Sequence, residues 1–162
     1  MLIPIVNELD EVVGTKDRSN LDYTKDIFRS ASLWITNKDG DVLLTQRSLD
    51  KKVNPGKWAE AVGGVVEGKD SYETTVLREA QEELGLSNVQ IHTGPKQFIN
   101  SPAKYFVQWY TAEIDKPADE FVLQTDEVSR VAWIQKDKLK QQITENSDKF
   151  IPAMNEICDL FI

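Results

Sequence analysis

Between Asp70 and Gly85, the residues Tyr72, Val76, Ala80 and Leu84 recur at every fourth position among charged and polar neighbours. That spacing predicts a helix with one buried stripe. Asp70-Ser71-Tyr72-Glu73 has the D-x-x-E form of a capping box, so Asp70 is expected at the N-cap, and Gly85 suits the position just past the last turn. Elsewhere the pattern is that of strands. Ser30 to Thr36 and Val42 to Gln46 flank Asn37-Lys38-Asp39-Gly40-Asp41, whose turn chemistry predicts a hairpin. Trp58 to Val62 predicts a strand leading into a sharp turn at Gly63-Gly64, where the backbone can also approach a ligand. Val89 to Ile91, Lys104 to Ile114 and Asp126 to Gln135 predict further strands, the second of them aromatic through Tyr105, Phe106, Trp109 and Tyr110.

The ends of the chain are read from weaker patterns. Ile5 to Gly14, with a polar turn at Asn7 to Asp10, predicts a short hairpin at the margin of the sheet, and the aperiodic Thr15 to Asp26 predicts a loop. Lys136 to Thr144 and Ser147 to Phe161 predict two terminal helices, with Pro152 in the first turn of the second. Mixed strands, a central helix and terminal helices together predict an α/β fold in which a mixed β-sheet is covered on both faces. No repeat, low-complexity tract or linker interrupts the pattern, so residues 1–162 are expected to form a single domain.

Composition narrows the function classes. The chain carries a formal net charge of -8 with a pI near 4.7. Nucleic-acid backbones and anionic membranes are held by basic patches, so neither is expected as the main partner. One island departs from this balance: Arg47, Lys51, Lys52 and Lys57 surround Pro55-Gly56. It reads equally as a solubilising loop or as a phosphate-facing one. Cys158 is the single cysteine, which excludes an intrachain disulfide and fits a reducing cytoplasm. No leader-like segment and no apolar run long enough to span a bilayer is present, so a soluble, cytoplasmic protein is expected. The lone His92 at a strand end reads as structural or exposed rather than catalytic.

The predicted central helix carries the candidate chemistry. Glu79, Glu82 and Glu83 are related by i+3 and i+4 steps, which places three carboxylates within an arc of roughly 100°. A Glu-rich helix face is ordinarily a solvated one. Here the acids fall in the last turns, where the helix dipole favours cations, and Arg78 is the only cation within i+4 reach of Glu82. A divalent cation with oxygen ligands, Mg²⁺ or Mn²⁺, would balance them.

Read in full, Gly64 to Leu86 resembles the Nudix box, G-x5-E-x7-R-E-U-x-E-E-x-G-U with U an aliphatic residue. Gly64 takes the first glycine, Arg78-Glu79 the R-E, Glu82-Glu83 the E-E, and Gly85-Leu86 the close. Asp70 stands where the pattern has its first Glu, and the preceding glycine is shifted by one place in Glu67-Gly68-Lys69-Asp70. The resemblance implies the Nudix α/β/α sandwich and a metal site of Glu79, Glu82 and Glu83. It also implies hydrolysis of a nucleoside diphosphate linked to another group, or of a similar pyrophosphate compound. On that reading Arg78 braces a glutamate, and the general base is a box glutamate or, from the later loop, Glu127 or Glu120. Gly64, Arg47 and Lys57 then face the diphosphate.

The opening Ile5 to Gly14, together with Leu43 to Ser48 and Pro55 to Trp58, is similar to the branch containing isopentenyl diphosphate isomerase. That isomerase needs a catalytic Cys in the strand before the box and several metal-binding histidines. This chain has Trp58-Ala59-Glu60-Ala61-Val62 and Phe28-Arg29 in the corresponding places, which argues against isomerisation. A Nudix-like domain that binds a diphosphate metabolite without cleaving it is the other alternative. Specificity is expected from loops such as Thr15 to Asp26 and Phe98 to Lys104. Oligomeric state is open, a homodimer included.

Overall fold

The computed structural model describes all residues from Met1 to Ile162 and is built around one strand, β3 (Ile27–Thr36). Buried residues run almost unbroken along it, the pattern of a strand covered on both faces. It pairs in parallel with β8 (Lys104–Glu113) over its whole length, from Ile27 opposite Lys104 to Thr36 opposite Glu113. On its other side it meets β4 (Val42–Arg47) only where Thr36 faces Val42, at the Asn37 to Asp41 turn. Beyond that point β3 and β4 diverge. β6 (Val62–Val65) takes the freed edge of β3, and β5 (Trp58–Ala59) takes that of β4. β1 (Leu2–Val6) and β2 (Val12–Asp17) extend the sheet at one margin. β7 (His92–Ile99) lies outside β8, and β9 (Val128–Ile134) lies outside β4.

Alternation along the strands sorts the core into two layers. Ala31, Leu33, Ile35 and Leu43 point to one face, where they pack against Val76, Ala80 and Leu84 of helix α1 (Tyr72–Leu84). Trp34, Val42 and Leu44 point to the other, against Leu139 and Ile143 of α2 (Lys136–Glu145) and Met154, Ile157 and Cys158 of α3 (Met154–Phe161). Trp34 stacks on Phe161 with ring centroids 4.8 Å apart. A mixed sheet between α1 and the α2–α3 pair is the expected α/β/α sandwich. None of its helices is long and apolar enough to cross a membrane.

Several boundaries differ from the sequence expectation. Thr15 to Asp26 is not all loop, because β2 runs on to Asp17 opposite Leu2 and a 3₁₀ turn follows at Arg18–Asn20. β2 is an edge strand exposed along nearly its whole length, so backbone pairing forms it without an apolar pattern to announce it. Val89 to Ile91 is not a strand; its apolar side chains pack beside the α1 core, and pairing begins at His92. The strand expected over Trp58 to Val62 breaks at Glu60-Ala61 where β3 and β4 part, and Gly63-Gly64 lie extended inside β6 rather than in a turn. The last helix starts at Met154, after a 3₁₀ turn at Ser147–Lys149 and a bridge between Phe150 and Trp58, so Pro152 precedes it.

Candidate active site

Helix α1 is fixed at both ends. Its N-cap is Ser71, not Asp70: the Ser71 hydroxyl accepts from the Thr74 backbone N–H, and the Ser71 N–H donates to the Thr74 hydroxyl at 2.9 Å. A hydroxyl at the third helical position serves where the D-x-x-E reading required Glu73, moving the cap by one residue. Gly85 ends the helix with φ 67°, in the left-handed region that suits glycine. Asp70, freed from capping, accepts from Arg78 Nε at 3.4 Å.

With its apolar stripe held on the sheet, α1 lays Glu79 across β6. A Cβ added at Gly64 would stand 2.6 Å from Glu79 Cγ, so glycine is what permits this approach. Arg78 Nη1 donates to Glu79 Oε1 at 3.0 Å and lies 3.6 Å from Glu82 Oε2. The guanidinium thereby ties Asp70, Glu79 and Glu82 together. Glu83 has no such partner. Burial, then the charge and hydrogen bond of Glu79, then the charge of Glu127 raise its pKa, with Lys51 acting in the opposite direction. Burial also raises Glu79 against the pull of Arg78. Both carboxyls are thus pushed above the usual carboxylate range, Glu83 the further of the two.

Glu79, Glu82, Glu83 and Glu127 all line a cavity of about 530 Å³, together with Arg47, Lys51, Gly64 and Arg78. Lys51 is ion-paired with Glu127, and Arg47 Nε donates to the Val53 carbonyl at 3.0 Å. The sequence candidates do not all meet there. Lys57 is turned to the Asp148 carbonyl at 2.6 Å, in a separate hollow beside α2 and α3. Glu120 sits in the 3₁₀ turn Ala118–Glu120 and does not line the cavity. His92 and Cys158 also lie elsewhere, and burial pushes the Cys158 thiol up to about 11.

Two groups in the cavity wall were not singled out from the sequence. Lys51 could be told from its basic neighbours only by its partner. Glu60 did leave a signal, an acid inside the apolar run Trp58-Ala59-Glu60-Ala61-Val62, since unpaired acids seldom occupy buried strand positions.

The donor set suits a hard divalent cation. No three acidic, histidine or cysteine side chains are gathered into a ready coordination sphere, because Glu82 remains about half exposed beside Arg78. Glu79 and Glu83, however, are neighbouring carboxyls that both resist ionisation, and a divalent cation held there would favour their ionised form.

Comparison with known proteins gives the family and the fold. The model of the NUDIX domain matches residues 26–154. The chain is 30% identical over 134 residues to the uncharacterized Nudix hydrolase PA4841 of Pseudomonas aeruginosa, an alignment covering 82% of this chain and 78% of the relative. Among solved structures it is similar to DR0079 from Deinococcus radiodurans, with a TM-score of 0.86 at 22% identity over the whole of both chains. It is also similar to the NUDIX domain of Shewanella oneidensis NrtR complexed with ADP ribose, with a TM-score of 0.66 at 22% identity, covering 88% of this chain and 92% of that one. From the family match and the P. aeruginosa relative, the chain belongs to the NUDIX domain family.

Proposed function

We propose that this chain is a Mg²⁺-dependent pyrophosphohydrolase that cleaves a nucleoside diphosphate linked to another group, or a similar pyrophosphate compound, with Mn²⁺ as a substitute metal. One observation carries the reading: Glu83 stands with Glu79 and Glu82, the two that Arg78 braces, in the wall of a cavity sized for a small-molecule substrate. Glu79, Glu82 and Glu83 would hold the metal, which when bound supplies neutralisation of the diphosphate charge and a more acidic water. Arg78 orients Glu79 and Glu82. Arg47 and Lys51 furnish positive charge for the phosphate oxygens, and Gly64 lets the backbone come close. Glu127, or a glutamate of α1, accepts the proton of the attacking water; Lys51 holds Glu127 at the cavity wall for this role. The enzyme would act as a single cytoplasmic domain on a small-molecule diphosphate, without nucleic acid or membrane as partner.

The test is phosphate or nucleotide release from a panel of ADP-ribose, diadenosine tetraphosphate, UDP-glucose and the nucleoside triphosphates, with and without Mg²⁺. At least one compound is expected to turn over with Mg²⁺ and none without a divalent cation. A compound that raises the melting temperature yet survives intact under both Mg²⁺ and Mn²⁺ would replace hydrolysis with binding alone.

A further inference from the structure

Where β3 and β4 part, the chain places a carboxyl that the mechanism above does not use. Glu60 stands in the break between β5 and β6, its backbone carbonyl held by the Thr45 hydroxyl at 2.8 Å. Its side chain lines the same cavity as the α1 carboxylates. The only side-chain group reaching it is the Ser32 hydroxyl, 3.5 Å from Oε1, and Oε2 is shielded from solvent with no hydrogen-bond partner. Buried polar atoms ordinarily find a partner, and one that serves structure alone has both oxygens engaged.

Space has been reserved for this carboxyl. A Cβ added at Gly63 would lie 2.9 Å from Glu60 Oε1 and 3.3 Å from Ser32 Oγ. Burial pushes Glu60 above the usual carboxylate range, with the charge of Arg47 acting in the opposite direction, which favours the O–H form that can donate. Ile99, Tyr105, Val107, Trp109 and Ile157 add apolar and aromatic side chains to the same cavity wall, alongside the polar Gln97, Ser32 and Thr45.

We propose that Glu60 is a specificity-determining residue whose carboxyl hydrogen-bonds an uncharged acceptor, a carbonyl oxygen or ring nitrogen, on the group that the diphosphate carries. The inference rests on the diphosphate-hydrolase reading of the site. Aromatic and apolar side chains beside a convergent carboxyl suit a flat, weakly polar body bearing that acceptor. A compound without the acceptor leaves the donor buried and unpaired, which is the strongest form of discrimination a pocket can make.

The test uses the full chain and the same panel. Glu60→Gln keeps a donor and an acceptor at similar size; Glu60→Leu keeps only the size. Glu60→Leu is expected to raise KM about tenfold for the best-cleaved compound, with kcat little changed, and to narrow the spread of kcat/KM across the panel. Glu60→Gln should stay within about threefold of the unmodified protein on both measures. Gly63→Ala, which crowds Oε1, should raise KM for the same compound and provides a second route if Glu60→Leu does not fold. Equal damage from Glu60→Gln and Glu60→Leu would mean that an ionised carboxylate is required. An unchanged spread in Glu60→Leu, or an unchanged KM in Gly63→Ala, would leave Glu60 a structural residue. Either result overturns the proposal. Absence of turnover in the unmodified protein would sink the hydrolase reading instead. The Glu60 contact would then be read from the melting-temperature shift produced by ADP-ribose, which Glu60→Leu should abolish and Glu60→Gln should keep; a full shift in Glu60→Leu overturns it.

Discussion

Arg78 and Glu83 act in opposite senses on the acidic end of α1. Arg78 compensates Glu79 and Glu82, whereas Glu83 lies beside Glu79 with no cation of its own on the helix. Glu83→Gln imitates the protonated form that the metal-free site already holds, so the free protein should keep its fold and lose no stability. On the proposed reading it loses a metal ligand, so Mg²⁺-dependent turnover should fall by about a hundredfold or more, and Mg²⁺ affinity measured by calorimetry should fall with it. A fully active Glu83→Gln would remove Glu83 from the site. The raised Glu83 gives a second expectation. Bound Mg²⁺ would require the carboxylates ionised, and Glu83 in the free protein is pushed up to about 9. Mg²⁺ binding should therefore release about one proton at neutral pH, and affinity should rise as pH increases toward 9 and level off above it. Calorimetry in buffers of different ionisation enthalpy measures both; affinity independent of pH between 6.5 and 8.5 would contradict the raised Glu83.

At the level of elements, legibility followed side-chain pattern. The stripe Val76, Ala80 and Leu84 and the Gly85 stop were readable because burial in α1 repeats at the helical period. The acids Glu79, Glu82 and Glu83 were readable because the same period places them together. β2 and the start of β7 were not, since both are mostly exposed strands made by backbone pairing that any polar sequence can supply. Gly63 and Gly64 look in sequence like a turn, and only the packing of α1 onto β6 shows that closeness is what they provide. Replacing Gly64 by Ala should accordingly displace Glu79 rather than unwind a turn, lowering turnover and Mg²⁺ affinity together while far-UV circular dichroism stays unchanged. The cap is testable in the same way. Ser71→Ala should cost about 1 kcal/mol in urea denaturation as a lost N-cap. Asp70→Ala, removing only a partly exposed ion pair with Arg78, should cost less than about 1 kcal/mol. A reversed order would return the cap to Asp70.

Across the whole molecule, two carboxyls at opposite ends of α1 set opposing pH limits on stability. Asp10, in the β1–β2 turn, accepts from Arg29 of β3 and Tyr72 of α1 and pairs with Lys96 of β7, so one side chain joins the edge hairpin to three other elements. Burial raises its pKa, but the hydrogen bonds from Lys96, Arg29 and Tyr72 outweigh burial and hold it below the usual carboxylate range. A depressed carboxyl contributes stability above its unfolded pKa, near 3.9, and loses it as pH falls through the folded value. Glu83 has the opposite sign. Its raised pKa makes the folded state bind more protons than the unfolded one, so stability declines as pH rises from about 4.5 toward about 9. The net charge of -8 adds self-repulsion in the same direction. Melting temperature in the absence of divalent cations should therefore peak on the mildly acidic side, between about pH 4.5 and 6. Mg²⁺ held by the ionised pair, as proposed, should raise the melting temperature more at pH 8.5 than at pH 5.5 and move the optimum upward. Asp10→Ala should lower stability by about 3 kcal/mol near neutrality, since it leaves Arg29 and Lys96 without their shared partner, and the loss should shrink as pH falls toward 3. Melting curves from pH 3 to 10 with and without Mg²⁺ measure all three. An optimum near pH 8 in metal-free buffer would contradict the raised Glu83, whereas a pH-independent Asp10→Ala effect would contradict the depressed Asp10.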